Sequence, residues 1–207
     1  MTTNRTLILD IDEVILSWTT GFKQWMHYVK GIPPTGPVAS YSMSETWPEF
    51  SSDEIQRMIA EFNESPQFGA LPFIDGAIKT VELIRSYRPN YRVIAVTACG
   101  RKAVTHLNRL RNLECLGLEE VHMIGLGESK VKHFTTYAAI GRTVVVEDSP
   151  KGLAEAKFAG CYAVRFDQPW NKHLNDTYPV IEGWVQDGVA IDTINDAMDG
   201  VYGEVAQ

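Results

Sequence analysis

The stretch that most constrains the fold is Thr6-Leu7-Ile8-Leu9-Asp10-Ile11-Asp12. Branched apolar residues run without a polar break and stop at carboxylates. That is the pattern of a strand buried on both faces that delivers acids at its C-terminal end. Such a strand belongs inside a parallel sheet, where ligands bind just beyond the carboxyl ends of the strands. Asp10 and Asp12 are two residues apart, so an extended chain can turn both to one face. Carboxylates held that close repel each other unless a cation or a shared proton relieves them. Mg²⁺, which prefers oxygen ligands, is the usual relief. An Asp pair also ends many strands as a plain turn former, so the pair gains meaning only from partners elsewhere.

Downstream of residue 75 the apolar rhythm alternates between helix and strand. Ala77, Val81, Ile84 and Tyr87 stripe one helix, and Tyr91–Thr97 reads as the second buried strand. Ala103, Val104, Leu107, Leu110 and Leu113 stripe the next helix, and 121–124 reads as a short third strand. A helix from Lys130 puts Val131, Phe134 and Ala138 inward; Thr143–Asp148 is again apolar until it ends in acids. Leu153, Ala156 and Ala159 face inward from the helix that follows, and Tyr162–Phe166 is the fifth strand. Strands alternating with helices of this length predict an α/β fold with a parallel sheet and right-handed crossovers.

Between the first strand and this series lie residues 16–74, which read as a small, mostly helical insert. Trp18, Phe22, Trp25, Met26 and Val29 fall at helical spacing. Gly31-Ile32-Pro33-Pro34 ends that helix, and Ser51-Ser52-Asp53-Glu54 is a capping-box pattern that opens another. The insert is rich in aromatics, most of them expected to pack. Trp47 and Phe50, beside Pro48 in a loop, are the ones expected to face a substrate, with Phe22 and Phe68 next.

The 207 residues suffice for one core plus a small module. A net charge of −7 argues against binding a long polyanion and carries no sign of a basic nucleic-acid groove, but leaves room for a small anion held at a local positive site. Cys99, Cys115 and Cys161 are odd in number and read as small buried hydrophobes in a reducing compartment. There is no basic-plus-apolar leader and no apolar run of membrane-spanning length. A cytoplasmic protein without a membrane partner is therefore expected.

Four features fall at successive element ends: Asp10 with Asp12, Thr97, Lys130, and Glu147 with Asp148. Each alone has a bland reading as a turn, a cap or a solvated charge. Their joint occurrence suits phosphoryl transfer through a carboxylate, which splits one difficult hydrolysis into two easier steps. The nucleophile must be ionised and still approach an anion, so a dication held by Asp10, the Asp12 carbonyl and Asp148 would neutralise both. Asp12 can then protonate the leaving oxygen and later activate water. The Thr97 hydroxyl, the backbone at Ala98 and Lys130 are the candidates to hold the remaining phosphoryl oxygens.

Leu9-Asp10-Ile11-Asp12, Val96-Thr97, Ser129-Lys130 and Val146-Glu147-Asp148, in that order across residues 7–166, resemble the motifs of haloacid dehalogenase-like (HAD) phosphatases. The resemblance implies a Rossmann-like core from 1–15 and 75–207 with a small helical cap at 16–74. It also implies Asp10 as nucleophile and Asp12 as general acid/base. Thr97, Ala98 and Lys130 would be the phosphate binders, and Asp10, Asp12, Asp148 and Glu147 the contributors to a Mg²⁺ site. Two features depart from the family pattern. Glu13 stands where Gly usually follows the second Asp, and Lys132 competes with Lys130 as the motif lysine.

Three looser stretches resemble the 5′(3′)-deoxyribonucleotidase group: Trp18 with Gly21-Phe22, Phe68-Gly69-Ala70-Leu71-Pro72, and Phe166-Asp167-Gln168-Pro169-Trp170-Asn171. They imply a nucleoside monophosphate as the small phosphorylated partner. Residues 149–162 are equally similar to sugar-phosphate phosphatases and phosphoglucomutase-type relatives, which makes a small sugar phosphate the alternative. A binding protein of the same fold without turnover is a third reading, and a homodimer stays open.

Overall fold

A computed structural model describes residues 4–36, 42–174, 177–185 and 188–200. The apolar runs form β1 (Asn4–Leu9), β2 (Tyr91–Ala98), β3 (Glu120–Ile124), β4 (Gly141–Glu147), β5 (Tyr162–Phe166) and β6 (Val180–Ile181). All pairings are parallel and the sheet order is β3-β2-β1-β4-β5-β6. The order reverses between β1 and β4, the point at which an open α/β sheet presents its binding crevice.

Alternation along the strands explains why both faces are covered. Leu7, Leu9, Val93, Ala95, Val144 and Val146 pack to one side with Val81 and Ile84 of α4 (Ala77–Tyr87) and Ile194 and Ala197 of α8 (Val189–Asp199). Ile8, Ile94, Val96 and Val145 pack to the other with Phe134 of α6 (Val131–Ala138) and Leu153 of α7 (Pro150–Phe158). Each such fully buried side chain contributes about 1.5–3 kcal/mol of transfer free energy. The fold class expected from the apolar rhythm is the one observed. The sequence reading did not foresee β6 or α8. Cys99 and Cys161 are buried as expected, but Cys115 is exposed.

The chain leaves the sheet at Leu16 and returns at Phe73, where the two crossing segments meet in an antiparallel bridge. Between them lie α1 (Trp18–Tyr28), the short α2 (Met43–Thr46) and α3 (Ser52–Glu64). The capping box at Ser51 and Glu54 forms in full. Phe22, Trp47, Phe62 and Phe68 are wholly buried and in edge or tilted ring contact with one another, Phe22–Trp47 at 5.5 Å and Phe62–Phe68 at 5.8 Å. The Trp47 indole donates to the Pro33 carbonyl at 3.0 Å, and Phe50 is half-buried against the same cluster. The expectation that Trp47, Phe50, Phe22 and Phe68 meet a substrate is therefore corrected. Three helices this short have little else to pack on, so these rings are the core of the insert.

The helix α5 (Ala103–Leu113) departs most from its apolar pattern. Val104, Leu107 and Leu110 are 42%, 59% and 46% exposed, whereas Thr105, Asn108, Arg109 and Asn112 are buried. Its polar side faces inward because the turn it packs on has unpaired carbonyls. Asn108 donates to the Ser65 carbonyl at 2.9 Å and Asn112 to that of Phe68 at 2.6 Å. Among the described residues no helix is long and apolar enough to cross a membrane.

The inverted face of α5 is testable by urea unfolding. Asn112→Ala should cost about 1–3 kcal/mol, because the Phe68 carbonyl loses its buried donor. Leu107→Gln should stay within about 0.5 kcal/mol of the parent. The reverse ranking would contradict the orientation described.

Candidate active site

The β1–β4 pairing brings the predicted acids together. Leu9 lies opposite Val146, and the Asp10 amide donates to the Val146 carbonyl at 3.0 Å. The Asp10 side chain thus emerges beside Glu147 and Asp148. These three buried acids offer ligand oxygens within 4.8 Å of one another. Lys130, at the start of α6, inserts its ammonium between them, 2.8 Å from Asp10 Oδ1 and 2.7 Å from Glu147 Oε2. Lys130 is therefore the lysine that reaches the acids, while Lys132 is exposed.

One ammonium among three buried carboxylates leaves an imbalance. Burial would raise Glu147, but the charge and hydrogen bond of Lys130, with help from the Ser149 amide, hold its carboxyl below the usual range. Asp10 is pushed up to about 8, by burial first and by Glu147 next, with Lys130 only partly opposing. Burial, then Glu147 and Asp10, also raise Asp148 well above the ordinary carboxylate range. Burial works against the charge of Lys130 as well, yet Asp10 and Glu147 outweigh it and raise its pKa.

The surrounding loops hold these acids in place. Trp170 donates from its indole to Asp148 Oδ2 at 3.0 Å, and Asn171 donates to the Asp148 carbonyl at 2.7 Å. A methyl on Gly152 would come within 2.3 Å of Glu147 Cδ. The first turn of α7 can pass over the Glu147 carboxylate only because no side chain stands there.

Asp12 is positioned differently. Its carboxylate is not one of the three in the cluster; both of its oxygens take a hydrogen bond from Arg109 Nη2, at 2.6 and 2.7 Å. The Asp12 ligand expected from the sequence is its backbone carbonyl, and the carboxylate is engaged elsewhere. Glu13, the next residue, is the one non-glycine at positive φ (60°) among the described residues. The family's glycine would take this conformation freely. Here the Glu13 carboxylate accepts from the Thr19 amide and so caps α1, while Gln168 donates to the Glu13 carbonyl at 2.8 Å. Burial, partly opposed by that amide, raises the Glu13 carboxyl.

A cleft of about 610 Å³ opens over these groups. Asp10, Asp12, Ala98, Lys130 and Asp148 line its floor. Trp18, Ser42, Ser44, Ile55, Gln56 and Ile59 come from the insert, and Trp170 comes from the loop after β5. Thr97 lies behind the lining, its hydroxyl buried without a hydrogen-bond partner. It is an unpaired polar group buried at the end of β2. Sequence reasoning missed Arg109; it placed Trp18 in the apolar stripe of a helix and in a stretch of resemblance, and Trp170 in a stretch of resemblance alone.

No protein-family model matches the chain, and no curated protein matches it. Solved structures do. A haloacid dehalogenase-like hydrolase of Streptococcus pneumoniae superposes with a TM-score of 0.63 at 14% identity, covering 88% of this chain and 96% of its own. A Bacteroides vulgatus protein described as a β-phosphoglucomutase gives 0.60 at 16% identity, covering 95% and 90%. A Bacillus subtilis HAD-type hydrolase described as bound to magnesium gives 0.58 at 15% identity, covering 92% and 100%. The fold is that of the haloacid dehalogenase-like hydrolases.

In this HAD-type fold the residues present suit a hard dication. The donor set is all oxygen, and two of its three acids are held up by burial first and by the charge of Glu147 next. Asp10, Asp148 and Glu147 are the residues that would hold Mg²⁺.

The imbalance has a pH signature in chelator. Folded Asp10 binds its proton more tightly than unfolded Asp10. Its stabilising share is therefore complete below 3.8 and lost as pH rises through about 8. In chelator, Tm should fall as pH rises through neutrality, and saturating Mg²⁺, which binds the deprotonated acids, should cancel the fall. A slope in chelator that Mg²⁺ leaves unchanged would contradict the cluster as described.

Proposed function

We propose that the chain is a Mg²⁺-dependent phosphomonoesterase that carries the phosphoryl group on Asp10. The observation behind this reading is the Asp10–Lys130–Glu147–Asp148 cluster at the β1–β4 crevice, with a fourth acid, Asp12, held apart from it. An Asp10 oxygen attacks phosphorus as the ester P–O bond breaks, and Asp12 gives the leaving oxygen its proton. A water then loses a proton to Asp12 and attacks phosphorus; the bond to Asp10 breaks and inorganic phosphate is released. Mg²⁺, when bound, neutralises charge between the carboxylate and the phosphoryl group. Lys130, the Thr97 hydroxyl and the Ala98 backbone hold the remaining phosphoryl oxygens.

The substrate reading favours a small sugar phosphate over a nucleotide. The likeness to structures described as β-phosphoglucomutases supports this, and none of the similar structures named above is described as a nucleotidase. The insert's side of the cleft pairs a flat indole, Trp18, with Ser42, Ser44 and Gln56, a surface suited to a ring edged with hydroxyls. Hydrolysis is favoured over transfer between two phosphate positions. Among the described residues, none that the insert contributes to the cleft lining is cationic, so the insert offers no charged partner to a second phosphate.

Purified protein should hydrolyse p-nitrophenyl phosphate with Mg²⁺ and lose that activity in chelator or as Asp148→Ala. Activity unaffected by excess chelator would contradict the metal site. Inactivity of the intact protein with Mg²⁺ on every phosphate ester in a broad panel would favour the binding-protein reading. Within that panel sugar phosphates should outperform deoxynucleotides. Trp18→Ala should raise KM for the best sugar phosphate about tenfold, the equivalent of about 1.4 kcal/mol, and leave KM for p-nitrophenyl phosphate little changed. Equal increases on both would make Trp18 a packing residue of the insert.

A further inference from the structure

Arg109 is wholly buried, an arrangement that costs several kcal/mol unless the charge is well paired. Its Nε and Nη1 have no hydrogen-bond partner. Among the described residues its one ion pair is with Asp12, where Nη2 lies 2.6 and 2.7 Å from the two carboxylate oxygens. A methionine or leucine would fill this space at lower cost if packing were the only requirement. The guanidinium is also fixed, because it lies 4.5 Å over the Phe68 ring. The Asn108 and Asn112 contacts pin α5 to the same turn. It cannot follow Asp12 if that side chain swings away.

Asp12 is only two residues beyond Asp10, so a free Asp12 carboxylate would be drawn to any dication at the neighbouring cluster. It is not among the three acids gathered there. Its side chain is one-quarter exposed and lines the cleft. We infer that Arg109 is a positioning residue: it grips both oxygens of Asp12, keeps them off the Asp10–Glu147–Asp148 cluster and reserves that carboxyl group for proton transfer at the cleft wall. This inference rests on the acid/base reading of Asp12.

Four proteins test it: wild type, Asp12→Asn, Arg109→Met and the double variant. Asp12→Asn should lower kcat about 10²–10⁴-fold. Arg109→Met should lower kcat about 10–100-fold, the usual cost of removing a group that orients a site carboxylate, with KM nearly unchanged. In the Asp12→Asn background the same arginine change should cost no more than about twofold, since its effect runs through Asp12. Arg109→Lys, which keeps the charge but not the grip on two oxygens, should fall between wild type and Arg109→Met.

A readout independent of metal and activity accompanies this. In metal-free protein Asp12→Asn should lower Tm by stranding the buried guanidinium, and adding Arg109→Met should restore it. Equal kcat losses in both backgrounds, or wild-type kcat in Arg109→Met, would overturn the inference. An unchanged Tm in Asp12→Asn would overturn the ion pair itself. Near-normal turnover by Asp12→Asn would instead overturn the acid/base reading. Should Arg109→Met fail to fold, Arg109→Lys carries the same two-background comparison.

Discussion

The site depends on one ammonium placed among three buried acids. Lys130 can satisfy Glu147 and touch Asp10, but it cannot neutralise both of them and Asp148. The fold supplies this crowding directly. β1 and β4 are neighbours at the point where the strand order reverses, so both strand ends deliver carboxylates to the same few ångströms. Glycine at 152 lets α7 begin over Glu147, and Trp170 with Asn171 fastens Asp148 from outside. An arrangement that holds carboxyl groups above their ordinary range in a buried cleft is costly for a scaffold and useful for chemistry.

The second constraint is the separation of Asp12 from Asp10. Both leave the same strand end, yet only Asp10 joins the acid cluster. Arg109, on a helix whose polar face is turned inward, takes both oxygens of Asp12 and holds that carboxylate apart. Glu13 continues the turn at positive φ, a conformation that costs a side-chain-bearing residue roughly 1–2 kcal/mol. Its carboxylate offsets part of this by capping α1, a role that glycine could not fill. The residue after the acid pair therefore also sets how the insert begins.

The sheet was legible because strands buried on both faces must be apolar throughout, and its acids because polar residues abruptly end such runs. Those signals carried β1, β2, β4 and β5, and placed Asp10, Glu147, Asp148 and Lys130 correctly at one crevice. The apolar stripe of α5 misled, because Val104, Leu107 and Leu110 face solvent. No periodicity announces a helix that turns asparagines and an arginine inward to meet loop carbonyls and a carboxylate 97 positions away in sequence. The aromatics of the insert misled for a related reason. Loop position suggested that Trp47 was free, yet a module this small uses nearly every ring for its own core. Trp18, stacked on Phe22 at 5.0 Å, is the ring of that cluster that also lines the cleft. β6 is two residues long and carries too little pattern to be read.

The central claim is that Asp10 carries the phosphoryl group during turnover. Rapid acid quench of the enzyme with a ³²P-labelled ester, followed by peptide mapping, tests it most directly. The account predicts acid-stable label on the peptide containing Asp10, absent from Asp10→Asn and more persistent in Asp12→Asn. Burst-free turnover with no label on any peptide, or label on a residue other than Asp10, would contradict it.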